Sequence, residues 1–309
     1  MRISGSAGTD RLGRLVLVPV AVLTAALLAL HQVIPGGRLL PTFLPWLGLV
    51  VPVLAGFALW RRSRPALIAP VLPLAAWLAV FGGHLIPDGQ TRSDLVAVQH
   101  NASDENLDPA GTVRTLLAAG PDLVALEEVT PEALPAYLAA FPAEYSHHAA
   151  HGTVALWSRF PLAEAAPLDI RPAAFGPDWN RGLRAVARTP RGDIAVYVAH
   201  LPSIRPGPTG LRTGNRDDSV TRLAEALKSE PAERVILLGD LNATTRDHGL
   251  EPLTSLLNTD ESDFAFTFPT ALPIARIDHV MARGMTVTAV RTLPRTGSDH
   301  LPIAADLTS

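Results

Sequence analysis

The stretch Val235-Ile-Leu-Leu-Gly-Asp-Leu-Asn-Ala-Thr244 sets a carboxylate and a carboxamide two residues apart, at Asp240 and Asn242. Four apolar residues, Val235 to Leu238, read as a short buried strand, and Gly239 breaks it. In extended chain, side chains two apart share a face, so Asp240 and Asn242 point the same way. A carboxylate and an amide leaving a buried strand together can hold a metal ion, a water molecule or a phosphate. The stretch suggests hydrolysis of a phosphoester, and the rest of the chain has to supply the partners.

Five other stretches end a strand pattern in an acid, an amide or an imidazole. Asp94–Gln99 runs into His100 and Asn101. The apolar run from Asp122 ends in Glu127 and Glu128, whose side chains face opposite sides of a strand, so one of the two enters a site. Asp193–Ala199 ends in His200, Ala275–Met281 carries Asp278 and His279, and Gly297–Ile303 carries Asp299 and His300. Taken singly, an Asn at a strand end reads as a turn residue and a lone His as structural. Their repetition is the signal, because strand ends on one edge of a sheet converge on one cleft.

The elements that must position these groups alternate between the two regular periodicities. Asp108–Ala119 reads as a helix with Val113, Leu116 and Leu117 on one face and Gly120 as its stop. Pro131–Ala140 and Asp217–Ser229 are further helices, and His248–Asn258 is a helical turn or short helix. Gly152–Ser158 and Leu162–Pro167 look like neighbouring strands joined by Ser-Arg-Phe-Pro, and Leu183–Thr189 pairs with Asp193–Ala199 around Pro190-Arg-Gly192. Leu201–Asn215 reads as an irregular active-site loop, and the Phe-bearing stretch Thr259–Pro273 as a rim of the cleft. Thr286–Leu293 and Ile303–Leu307 are the closing strands.

The succession Gln-His-Asn101, Leu-Glu-Glu128-Val, His200-Leu, Gly-Asp240-Leu-Asn242, Arg-Ile-Asp278-His and Ser-Asp299-His300 resembles the endonuclease/exonuclease/phosphatase superfamily over about residues 93–309. That resemblance implies an α/β fold, a four-layered α/β/β/α sandwich of the DNase I-like kind, with a Mg²⁺-dependent phosphoesterase site. It implies that Glu128 is the principal metal ligand and that Asn101 and Asp299 complete or support the metal site. Asp240 and Asn242 would orient the attacking water and hold the phosphate. His300 paired with Asp278 would handle the proton or stabilise the phosphate, and His200 would contact the phosphate or assist the leaving group. Two positions depart from the family pattern: Glu127 stands where Gln is usual, and Ser103 where many members carry an acid.

The chemistry supports that reading independently. Hard Mg²⁺ takes oxygen ligands and keeps several waters, so one or two carboxylates suffice. The chain has no cysteine, and donors drawn from Asp, Glu and Asn favour Mg²⁺ or Mn²⁺ over Zn²⁺. A histidine held by a carboxylate has a fixed tautomer and suits general acid–base work.

Composition divides the chain. Hydrophobic residues make up 48% and mean hydropathy is +0.22, an excess that sits at the N-terminus. Three uncharged apolar runs, Leu15–Gly37, Leu39–Trp60 and Pro65–Pro87, each reach the roughly 20 residues that span a bilayer. They predict three transmembrane helices within residues 1–92, closed by a short polar linker from Pro87 to Ser93. Arg2, Arg11 and Arg14 precede the first run, Arg38 alone lies in the first loop, and Arg61, Arg62 and Arg64 crowd the second. By the positive-inside rule this predicts a multi-pass protein of the cell membrane with an extracytoplasmic catalytic domain, residues 93–309. The architecture also resembles membrane proteins of the teicoplanin-resistance VanJ type.

Residues 93–309 hold 18 basic and 27 acidic residues, a poor match to a nucleic-acid backbone. The leading expectation is therefore hydrolysis of a lipid-linked or cell-envelope phosphoester, with the bilayer as partner and no obligate protein partner. The alternatives are an extracytoplasmic nuclease, for which Arg205, Arg212 and Arg216 would form a basic rim, and an inactive phosphate-binding sensor domain.

Overall fold

A computed structural model describes residues 6–30, 40–61, 65–85, 93–207, 210–260 and 264–309. The chain divides into two compact units, Met1–Pro87 and Asp88–Ser309.

The first unit contains helices α1 (Ser6–Leu30), α2 (Leu40–Phe43), α3 (Val50–Trp60) and α4 (Val71–Phe81), with 3-10 turns at Pro45–Leu49, Pro65–Ile68 and Gly82–Leu85. Among the described residues no helix is long and apolar enough to cross a membrane. This overturns the expected three spans and, with them, the multi-pass membrane location. The physical reason is readable in the chain. α1 spends its first turns on Asp10, Arg11 and Arg14, and proline, which lacks an N–H and clashes with the preceding turn, breaks the later runs into short pieces. Pro45 and Pro65 open 3-10 turns, and α3 and α4 are 11 residues each, about 16 Å against a core of about 30 Å. The Arg residues 2, 38, 62 and 64 and nearly all of the linker lie outside the described residues. The VanJ-type resemblance rested on that architecture and loses its support.

The second unit opens with β1 (Leu95–Asn101), α5 (Pro109–Leu117), β2 (Leu123–Glu127) and α6 (Leu134–Ala140). Asp108 caps α5 by accepting from the Gly111 N–H at 2.8 Å. Next come β3 (His147–His151), β4 (Val154–Ser158), β5 (Leu162–Pro167), β6 (Gly182–Thr189) and β7 (Gly192–Ala199). A small hairpin, β8 (Arg205–Gly207) and β9 (Gly210–Arg212), precedes α7 (Gly214–Ser229). β10 (Val235–Asp240), α8 (Glu251–Thr254), β11 (Asp278–Arg283), β12 (Thr286–Thr292) and β13 (Ile303–Thr308) complete the unit.

These strands form two principal sheets, ordered β12-β13-β1-β2-β4-β3 and β11-β10-β7-β6-β5. Their facing sides share one core, where Ala97, Leu123 and Leu156 meet Ala185, Val196 and Leu238. Outward-facing residues of the six-stranded sheet pack under α5 and α6, through Val113, Leu116 and Tyr137. Those of the five-stranded sheet pack under α7 and α8, through Val220, Leu223 and Leu253. Strand alternation thus feeds two cores at once, which gives the expected α/β sandwich. One pairing differs from expectation: β4 and β5 belong to different sheets, so Ser158-Arg-Phe-Pro161 carries the chain from one sheet to the other. The predicted hairpin of β6 with β7 is present. β3 and the β8–β9 hairpin had no counterpart in the sequence reading.

Candidate active site

Parallel strands β1 and β2 end side by side, with Asn101 opposite Glu127. In the other sheet β7 and β10 run parallel, and β11 starts antiparallel to β10 with Asp278 opposite Asp240. The six predicted strand ends therefore do meet. Asn101, Glu128, His200, Asp240, Asn242, Asp299 and His300 all line one cleft of about 840 Å³, with Asp278 buried directly behind it. Gly239 is required by this geometry, since a Cβ there would overlap the Ala199 carbonyl oxygen on β7.

The centre of the site is a buried proton-handling unit. His300 Nδ1 lies 2.8 Å from Asp278 Oδ2, and its Nε2 lies 3.9 Å from Asp240 Oδ2. Burial opposes a charged ring, but the Asp278 carboxylate and its hydrogen bond outweigh it and push His300 up to about 10. Burial likewise opposes an ionised Asp278, and His300 outweighs it, leaving Asp278 low. Asp240 moves the other way, raised by burial and then by the neighbouring Asp278. The Gln99 amide donates to Asp278 Oδ1 at 3.0 Å and to Glu127 Oε2 at 2.7 Å. Glu127 is fully buried and raised well above the usual carboxylate range, chiefly by that burial and then by Asp278 and Asp240.

Glu128 sits just past the strand in the left-handed region, φ 58°, and turns its side chain into the cleft. Asn101 Nδ2 donates to Glu128 Oε1 at 3.2 Å and to Asp240 Oδ2 at 3.1 Å, tying the two carboxylates together. Its orientation is set by the Ser103 N–H, which donates to Asn101 Oδ1 at 3.1 Å. Asn242, φ 50°, donates from Nδ2 to the Leu201 carbonyl at 2.8 Å, and its N–H donates to Asp240 Oδ1 at 2.9 Å. Ser103, Glu128 and Asn242 all hold positive φ around one cleft, a backbone cost of about 1–3 kcal/mol each.

His200 is buried and its Nε2 lies 3.8 Å from Glu128 Oε1 and 3.7 Å from Asp240 Oδ2. Arg181 Nη1 lies 3.1 Å from its Nδ1. Burial, then Arg181 and His300, push His200 well below the usual histidine range, so the ring is neutral. The same Arg181 nitrogen lies 3.2 Å from Nε2, so the guanidinium faces both ring nitrogens. Asp299 is exposed at the rim; its carbonyl accepts from the Thr270 N–H at 2.7 Å, and its carboxylate acts on His300 through space.

Two groupings could receive a cation. Ligand atoms of Asp240, Asp278 and His300 lie within 4.8 Å of one another. Asp278 is absent from the cleft lining and bonds Gln99 and His300 behind it, which makes that trio a hydrogen-bonded relay rather than a cage. The carboxylates lining the open cleft are those of Asp104, Glu105, Glu128, Asp240 and Asp299, of which Glu128 and Asp240 are bridged by Asn101. This all-oxygen set, with two like-charged carboxylates held near one another, fits a hard divalent cation.

The sequence reading missed Gln99 and Arg181 as site residues. Gln99 lies two residues before the nominated Asn101, on the same face of β1. Arg181 lies in a loop with no periodic pattern, so only the fold brings it to His200. Phe268 and Pro269, from the predicted rim, do line the cleft. Arg216 does not form a rim: it is buried and bound to Asp247 at 2.7 Å and Asp217 at 2.8 Å.

The architecture recurs in solved structures. A sphingomyelinase C from Streptomyces griseocarneus superposes with TM-score 0.50 and 19% identity, covering 70% of this chain and 99% of that one. D. rerio TDP2 complexed with a single-strand DNA product gives 0.57 and 18%, covering 70% and 99%. A beta toxin variant from Staphylococcus aureus with bound magnesium ions gives 0.54 and 15%, covering 69% and 99%. At these identities the likeness concerns fold alone. In sequence, the uncharacterized protein YbhP of Escherichia coli strain K12 is 31% identical over 171 residues, which is 51% of this chain and 62% of that protein. The chain thus spans less than two thirds of that relative's length. The model of the Endonuclease/Exonuclease/phosphatase family matches residues 82–300. With the cleft assembled from the strand ends that carried the resemblance, the chain belongs to the Endonuclease/Exonuclease/phosphatase family.

Proposed function

We propose that residues 93–309 form a Mg²⁺- or Mn²⁺-dependent phosphoesterase that hydrolyses a small phosphoester by attack of water. The observation that carries this reading is the Asp278–His300–Asp240 relay: a protonated imidazole held by a buried carboxylate, 3.9 Å from a second carboxylate whose affinity for a proton is raised.

When bound, a divalent cation would polarise the phosphoryl oxygen and offset developing negative charge. Glu128 would hold it, with Asp240 and Asp299 in reach and Asn101 fixing the spacing of the first two. Asp240, poised near neutrality, accepts the proton of the attacking water, and Asn242 holds Asp240 in place through its backbone N–H. His300 presents Nε2–H to a phosphoryl oxygen while Asp278 keeps it charged. Neutral His200 contacts the phosphate or the leaving oxygen.

The expected lipid-linked substrate drew its support from the membrane spans and loses it with them. The nuclease alternative is weakened by the acidic balance of residues 93–309 and by the burial of Arg216. Hydrolysis of bis(p-nitrophenyl) phosphate by the full chain tests the reading. Activity should require Mg²⁺ or Mn²⁺, stop with EDTA and be lost in His300→Ala. Metal-independent turnover, or turnover retained in His300→Ala, would reject it. Cleavage of plasmid DNA at rates matching the best small phosphoester would restore the nuclease alternative. Inactivity on a broad phosphoester panel would favour the binding-domain alternative.

A further inference from the structure

A second pocket, of about 650 Å³, adjoins the catalytic cleft, and Ser203 lines both. Its chemistry is unlike that of the cleft. Arg181, Arg205 and Arg212 line it, beside a shelf formed by Phe175 and Trp179, whose rings stand 5.6 Å apart at 53°. The guanidinium of Arg181 lies 5.4 Å over the Trp179 ring.

The hairpin β8–β9 pairs Arg205 directly across from Arg212. Like charges in that position destabilise a sheet pair. Arg181 is attracted to Glu128, Asp240 and Asp104 at the edge of the catalytic cleft and, more weakly, repelled by Arg205. Among the described residues no carboxylate forms an ion pair with Arg205 or Arg212; Asp178 is the acid in the lining. Arg205 and Arg212 are exposed and stand at the mouth of this pocket, so they attract an anion from outside the chain. Arginine is suited to that role because its planar fork binds phosphate oxygens bidentately. The location specifies which anion. Arg181 touches His200, and His200 faces Glu128 and Asp240, so an anion held here lies beside the group being cut.

We infer that this pocket binds a second phosphoryl group of the substrate, next to the scissile phosphoester, with the substrate's ring or hydrocarbon portion on the Phe175–Trp179 shelf. The inference rests on the phosphoesterase reading and narrows its substrate class to compounds with two phosphoryl groups.

The test uses the full chain and the variant Arg205→Gln/Arg212→Gln, both side chains being exposed and outside the catalytic relay. Calorimetric titrations with methylenediphosphonate and with methylphosphonate, in constant Mg²⁺, read the pocket directly. Hydrolysis of bis(p-nitrophenyl) phosphate, which has one phosphoryl group, reads the catalytic centre. Wild type should prefer the diphosphonate by about tenfold or more. The variant should lose about that factor for the diphosphonate, hold methylphosphonate within about twofold, and keep its hydrolysis rate. No preference in wild type, or an equal loss for both ligands, would overturn the inference, the latter outcome marking a diffuse field. If wild type prefers the diphosphonate through these arginines but hydrolyses no phosphoester, the phosphoesterase reading fails. The pocket then remains an anion site but is no longer a substrate subsite.

Discussion

The two sheets reach the cleft by the same construction. Each sends two parallel strands to it, β1 with β2 and β7 with β10, and starts an antiparallel strand there, β13 and β11. They differ in where the working groups sit. In the five-stranded sheet Asp240 and Asp278 are strand residues, 1% and 0% exposed. In the six-stranded sheet the strand acid Glu127 is buried and held well above the usual carboxylate range, the acids Glu128 and Asp299 lie beyond the strand ends, and buried His300 reaches across to Asp278. One half is a rigid holder of buried charge, and the other presents groups on short extensions. Buried charge in a strand is set by neighbours and moves little, which suits proton transfer. A side chain just past a strand can meet water and a cation, which suits metal and substrate binding.

The sharpest way to break this division is Asp278→Asn. It removes the charge that holds His300 protonated and should lower kcat by about 10²–10⁴-fold on bis(p-nitrophenyl) phosphate. A loss no larger than that of a surface control would mean that the five-stranded half does not handle the proton. The next effect belongs to the other half. Glu128→Gln should raise the Mg²⁺ concentration for half-maximal rate by about 10–100-fold, and a metal titration that does not move would assign the cation elsewhere.

The pH profile follows from the same relay, with signs that can be worked out. Asp240 acts ionised, so the rate rises as pH climbs through its raised value; a bound cation moves that limb to lower pH. His300 acts protonated, so the rate falls as pH passes about 10. Asp278→Asn should shift the alkaline limb downward. The smallest effect is expected at Glu127→Gln. Because burial favours the neutral form of this acid, an isosteric amide should leave the rate within about twofold and the pH profile in place. A large drop would show that Glu127 contributes charge after all. Stability tests the scaffold between the halves: Gly239→Ala forces a methyl group against β7 and should cost about 1–3 kcal/mol in denaturant unfolding.

Much of this site was legible before the fold, because its groups sit at the ends of strong apolar runs. The run Val235–Leu238 announces a buried strand, and whatever follows it is carried to a sheet edge. The same logic located Asn101, Glu128 and His200, while Asp278 and His300 stand where β11 and β13 begin. What could not be read depends on distant chain. Ser158-Arg-Phe-Pro161 is compatible with a turn within one sheet or a crossing between two, and local pattern does not distinguish them. Arg216 looked like a surface cation until Asp247 met it across 31 residues. Arg181 becomes a site residue only when β6 and β7 pair and bring it beside His200. The apolar runs of residues 1–92 show the opposite limit. Their hydropathy matched a membrane span, whereas prolines cut the second and third runs into short helices and charged residues occupy the first turns of α1.

The placement of β13 beside β1 has a consequence for the order in which the molecule folds. Ile303 pairs with Gln99 and Leu307 with Leu95, so the middle of the six-stranded sheet is closed by segments about two hundred residues apart. Such a closure carries a loop-entropy cost that local contacts cannot offset in advance, and it makes folding slow relative to helical domains of similar stability. His300 lies three residues before that strand, and Asp278 and Asp240 wait on the other sheet. The relay is thus assembled in the same event that seals the sandwich, and the onset of hydrolysis during refolding reports the closing step itself.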